Sequence, residues 1–75
     1  MYTKPANWEE VEGIITEIGF DFLLLETSKT IVKLSCVRVP KALKDALGKK
    51  VRAQGFLTKE DNKPMLLTRD ILILK

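Results

Sequence analysis

Short apolar runs rich in β-branched residues, separated by glycine or polar breaks, fill this chain, and one stretch interrupts that rhythm with a different pattern. The first run is Val11 to Ile18, where Val11, Ile14, Ile15, Thr16 and Ile18 surround an interior Gly13. Its apolar positions change phase across Gly13, which predicts a β-bulge and a coiled strand at that glycine. Gly19 breaks the run, and Phe20 to Thr27 follows with Leu23-Leu24-Leu25 offering hydrophobes to both faces. Thr27-Ser28-Lys29 is a short polar connection to a third run, Thr30 to Val39, so the second and third runs predict a hairpin. Pro40 to Leu47 is the exception. Proline suits a first helical turn, Leu43 and Leu47 stand at i and i+4, and Gly48 is a natural stop, which predicts a helix of about two turns. From Val51 to Lys59 the small apolar set Val51, Ala53, Gly55, Leu57 alternates with Arg52, Gln54, Phe56, Thr58, as a strand requires. A polar turn over Lys59 to Pro64 then leads to a last strand, Met65 to Leu74, interrupted by Thr68-Arg69-Asp70. The expected order is β-β-β-α-β-β.

A chain of 75 residues makes one domain, residues 1–75, with residues 1–7 expected as a loose N-terminal arm. At this size folding buries only about 60% of the surface of the unfolded chain, so stability is expected to be modest. No apolar run approaches the roughly 20 residues that span a bilayer, and Met1 to Pro5 lacks the apolar core of a secretion signal. A soluble, cytoplasmic protein without membrane contact is the expectation. Cys36 is the one cysteine and there is no histidine, so neither an internal disulfide nor a zinc-ligand set can form. Cys36 itself is expected to pack as a small core residue. Net charge is +3, but its distribution is uneven: one base faces six acids up to Thr27, and twelve bases face four acids from Ser28 onward. Such asymmetry suggests an anionic partner, whereas scattered surface charge would suggest none.

Five strands with one helix between the third and fourth is the layout of a five-stranded OB-type Greek-key barrel, an all-β fold with one short helix. An SH3-like barrel would not place a helix of that length there. The interior Gly13, the helix closing on Leu47-Gly48-Lys49-Lys50 and the phrase Val51-Arg52-Ala53-Gln54-Gly55 extend the likeness. In these features the chain resembles nucleic-acid-binding OB domains of the tRNA-synthetase anticodon-binding and single-strand-binding type, over about Trp8 to Leu74.

Catalytic chemistry has little to stand on. There is no histidine, nucleophile elbow, phosphate-binding glycine loop or calcium loop, so no enzymatic activity and no cofactor are expected. Glu60 and Asp61 are adjacent carboxylates flanked by Lys59 and Lys63, better read as a solvated turn than as a metal site.

Binding has more support. OB barrels bind through the outer face of strands two and three and the loops joining strands one to two and four to five. Those places hold Phe20, the Phe22 to Val37 hairpin, and Lys59 to Pro64. A hairpin turning at Ser28-Lys29 pairs Leu25 with Val32 and Leu23 with Leu34 as core, leaving Phe22, Leu24, Glu26, Ile31, Lys33 and Ser35 outside. A slip of one residue would exchange Phe22 and Leu24 for Leu23 and Leu25. The predicted site holds phosphates on Lys33, Arg38, Arg52 and Arg69, with Lys59 and Lys63 in the last loop, and stacks bases of single-stranded DNA or RNA on Phe20 or Phe22. The phenylalanines fit the core equally well, and Trp8, among polar neighbours, suits a cap over one barrel end. Lys41, Lys44 and Lys49 read as the solvated face and end of the helix. An alternative is a protein-interaction subunit of a larger nucleic-acid-processing assembly, self-associating or partner-binding through apolar side chains on the hairpin face. A basic face with aromatics would favour nucleic acid, and an apolar, neutral one would favour protein.

Overall fold

The computed structural model describes residues 7–74, so the expected N-terminal arm falls, except for Asn7, outside the described residues. Five strands form a closed barrel in the order β1-β2-β3-β5-β4. They are β1 (Trp8–Ile18), β2 (Phe22–Glu26), β3 (Ile31–Ser35), β4 (Lys50–Glu60) and β5 (Lys63–Ile73). Neighbours are antiparallel except β3 and β5, which run parallel. This is the all-β OB-type barrel expected from the order of the runs.

Its hairpin takes the first of the two registers considered, with Phe22 opposite Ser35, Leu23 opposite Leu34 and Leu25 opposite Val32. Thr27 fixes it. The Thr27 N–H donates to the Thr30 carbonyl at 2.9 Å, and the Thr27 hydroxyl oxygen accepts from the Lys29 and Thr30 N–H groups at 3.2 and 3.1 Å. This side-chain turn leaves Ser28-Lys29 at the tip and sets every pair below it. Leu23, Leu25, Val32 and Leu34 consequently point inward, joined by Ile15, Val51, Ala53 and Leu66. Small inward residues on β4 (Ala53, Gly55) keep the barrel narrow.

The predicted two-turn helix is a single 3-10 turn, Lys41–Leu43. Its hydrogen bonds run from Leu43 N–H to Pro40 O, Lys44 N–H to Lys41 O and Ala46 N–H to Leu43 O, all three residues apart. Two turns of isolated α-helix gain little in water, and the segment instead buries Leu43 and Ala46 together with Val39, closing one barrel end. Leu47, counted toward the helix face by its i+4 spacing, is exposed. Gly48 does end the segment, at φ +83°.

The bulge in β1 lies between Ile15 and Glu17, not at Gly13. Gly13 keeps its phase opposite Val51 on β4, and its missing Cβ leaves room for the Glu26 carbonyl of β2. β1 pairs with β4 up to Ile14 and with β2 from Ile14 onward, so the extra residue, Thr16, comes after it has changed partners. In β5 the polar trio does not end the strand. Gly55 faces Thr68 while Gln54 faces Asp70, which leaves Arg69 as a bulged residue within a continuous strand. The β4–β5 turn is tighter than expected, just Asp61-Asn62 with φ of 53° and 65°, the left-handed pair that suits the twist of a two-residue hairpin.

Candidate nucleic-acid interface

None of the three phenylalanines belongs to the core. Phe20 stands in the β1–β2 connection at 77% exposure, and Phe22 and Phe56 are half-buried on the outer face. Each ring carries a cation: the Lys33 ammonium lies 5.2 Å from the Phe22 centroid, the Arg38 guanidinium 6.0 Å from Phe20, and the Arg69 guanidinium 5.5 Å from Phe56. Strand alternation creates this arrangement. With Leu23, Leu34, Gly55 and Leu66 facing inward, their neighbours Phe22, Ser35, Phe56 and Leu67 face outward, and the pairings join them in one row with Trp8. Trp8 does not cap the barrel. As the first residue of β1 it packs edge-on against Phe56, centroids 5.3 Å apart and planes at 88°. The Trp8–Phe56 contact was missed in the sequence, although the alternation of β4 already put Phe56 on the outer side.

The predicted site residues divide into three groups. Lys33 and Lys63 line one cleft of about 540 Å³ between the two hairpins, with Leu24, Ile31, Glu60 and Asp61. Phe22 flanks it through Lys33. Arg38 and Arg69 line a second groove, about 590 Å³, beyond the end of β3, and Phe20 stands beside it through Arg38. The first strand connection is held there by the Cys36 N–H to Asp21 carbonyl bond, 2.8 Å, and the Val39 N–H to Phe20 carbonyl bond, 3.1 Å. Arg52 is set apart, on the β1–β4 wall, and Lys59 is exposed beside the β4–β5 turn without lining either space. Cys36 is not a core residue. It is half-buried on the wall of the second groove, and burial pushes its thiol pKa up.

Ion pairs decide which cations are available. Lys33 is bound to Glu60 at 2.8 Å, and that hydrogen bond raises the lysine pKa. Arg52 meets Glu12 at 3.2 Å and Glu10 at 3.9 Å, and Lys50 meets Glu12 at 3.2 Å. The charge asymmetry along the sequence is therefore partly cancelled in space, where Glu10 and Glu12 of β1 lie beside Lys50 and Arg52 at the start of β4. Among the described residues no carboxylate lies within ion-pair distance of Arg38, Lys59, Lys63 or Arg69. Of the cations in the predicted site, these four are left for an outside anion.

Glu12 makes this wall sensitive to acid. Its carboxyl is held below the ordinary value of 4.5, first by the hydrogen bond to Lys50 and then by that to Arg52. A carboxylate lowered in the folded state adds stability above its unfolded pKa and loses it as pH falls through the folded one. Glu12→Gln should therefore leave a shallower loss of stability below pH 4.5, read from urea midpoints across that range. The effect should be small, since the pair is exposed.

Among the described residues no group of cysteine, aspartate and glutamate side chains is placed to hold a metal ion, and no helix is long and apolar enough to cross a membrane. No protein-family model matches the chain, and no curated protein matches it by sequence. Among solved structures it is similar to the hypothetical protein YgiW from E. coli, with a TM-score of 0.65 and 18% identity over 89% of this chain and 74% of that one. At that identity the likeness is one of fold alone.

Proposed function

We propose that this barrel is a non-catalytic module that binds single-stranded nucleic acid, DNA or RNA, across the outer face of β2 and β3. The observation that carries this reading is the set of three phenylalanines outside the core, each with a cation 5.2 to 6.0 Å from its ring. Aromatic faces accept bases of any sequence, and neighbouring cations meet the phosphates between them. In this reading Phe20 and Phe22 are the stacking surfaces. Arg38, Lys63 and Arg69 hold phosphates and Lys59 adds charge at the turn, while Lys33 positions the Phe22 ring and Arg52 supports the barrel wall. A cytoplasmic location goes with this reading.

Phe20 gives the cleanest test, because a ring 77% exposed contributes little to folding. In fluorescence anisotropy with labelled oligo-dT and oligo-rU, Phe20→Ala should weaken binding by about 1 to 3 kcal/mol and leave the melting temperature unchanged. Equal affinity of the variant and the wild type would remove Phe20 from the site.

A second reading, a protein-interaction face, has its own support. Lys33 is neutralised by Glu60, and beside it Ile31 is 50% exposed and Leu67 43% exposed, an apolar and nearly neutral strip. Self-association without oligonucleotide binding would favour it.

A further inference from the structure

β5 is longer than the neighbour that covers it. β3 pairs with it only over Met65–Leu67, whereas β4 follows it to Ile73. After Ser35 the chain leaves the sheet, so residues 68–73 have a strand on one side alone. The direction of the free groups follows from the ladder. Leu74 donates its N–H to the Lys50 carbonyl at 2.9 Å, and by alternation Leu72 also faces β4, so the N–H and C=O groups of Ile71 and Ile73 face the open side. No turn or loop backbone hydrogen bond among the described residues reaches residues 68–73. The groove of about 590 Å³ runs along this edge, with Cys36, Val37 and Arg38 as its far wall. Val37 is 100% exposed and Leu72 57%.

We propose that this edge is a docking site for an extended acidic peptide segment of a partner protein, added to β5 as a further strand. An added strand at the usual spacing of about 4.8 Å would satisfy the Ile71 and Ile73 backbone groups and set alternate side chains against Val37 and Leu72. Charge selects the partner. Within the groove Arg38 and Arg69 outnumber Asp70, and the recess that continues from it past Arg38 and Pro40 adds Lys41 and Lys44 with no acid. A nucleic-acid strand could meet the arginines but would leave the regular backbone donors and acceptors of the edge unmatched. The site shares Arg38 and Arg69 with the phosphate contacts proposed above, but its backbone edge, residues 68–73 of β5, lies outside the β2–β3 face.

The test is amide NMR of the whole chain with two capped synthetic peptides, one alternating glutamate with valine and one alternating lysine with valine. In the free protein the Ile71 and Ile73 amides should exchange rapidly with solvent. The glutamate peptide should shift and protect both, the lysine peptide should bind at least about tenfold more weakly, and Arg69→Glu should weaken the glutamate peptide by a similar factor. Arg69 sits at a surface bulge, so that variant is expected to fold, as the amide spectrum itself will report. The proposal fails if either amide is already protected in the free protein, if the glutamate peptide leaves both unmoved at millimolar concentration, or if a single-stranded oligonucleotide protects them instead.

Discussion

Leu23→Ala should lower stability by about 2 to 5 kcal/mol, while Phe22→Ala, one residue away, should cost far less stability and instead weaken nucleic-acid binding by about 1 to 3 kcal/mol. The difference comes from the hairpin register. Leu23 has no exposed surface and packs in the core cluster, so truncation leaves a cavity that a closed barrel cannot easily collapse around. Phe22 is half-buried on the outside, against Gly19 and Lys33. A domain of this size has a total stability of only about 4 to 11 kcal/mol, so Leu23→Ala should lower the melting temperature by tens of degrees or prevent folding at 37 °C. Thermal melts and oligonucleotide titrations of both variants make the comparison. A melt of Phe22→Ala lowered as far as that of Leu23→Ala would show that the ring is core and not a stacking surface.

Gly55→Ala should be nearly as damaging, at about 3 kcal/mol, although it adds one methyl group. A Cβ at Gly55 would run into the Leu67 carbonyl and the Thr68 Cα on β5, all backbone atoms that cannot rotate aside. β4 and β5 approach this closely because the Arg69 bulge shifts the register between Gln54 and Gly55. To admit the methyl group the two strands must separate where Phe56, Leu67 and Arg69 meet, so the variant should also disturb the aromatic row. Denaturant melts together with the Trp8 fluorescence spectrum follow both effects. An unchanged midpoint with an unchanged spectrum would mean that the β4–β5 approach is looser than described.

Much of this barrel was legible because strands carry their own alternation. Residues from Val51 to Gly55 declared one small inward face, and the polar Thr27-Ser28-Lys29 placed the hairpin turn closely enough to leave two registers. Choosing between them needed the Thr27 hydroxyl, whose hydrogen bonds to the Lys29 and Thr30 N–H groups depend on geometry and not on hydropathy. The segment after Pro40 was misread because Leu43 paired with Leu47 gives a helical spacing while Leu43 paired with Ala46 gives a 3-10 one. Only the shape of the barrel end decides which pair is buried. Charge was least legible. The acidic first third and the basic remainder suggested an electrostatic face, but β1 and β4 lie side by side, and Glu10 and Glu12 occupy the Arg52 and Lys50 that sequence alone left open. Aromatic placement was ambiguous for a related reason: alternation puts Phe22 and Phe56 outward, yet hydrophobicity alone argues for the core.

Salt dependence of single-strand affinity tests the central claim most directly. With Arg38, Lys63 and Arg69 as phosphate contacts, the logarithm of the association constant should fall against the logarithm of salt concentration with a slope of about −2, between about 50 mM and 200 mM salt. Arg38→Ala should make that slope shallower by about 0.7. Wild-type protein with no measurable affinity for oligo-dT or oligo-rU at about 50 mM salt, or with an affinity that salt does not change, would contradict the account.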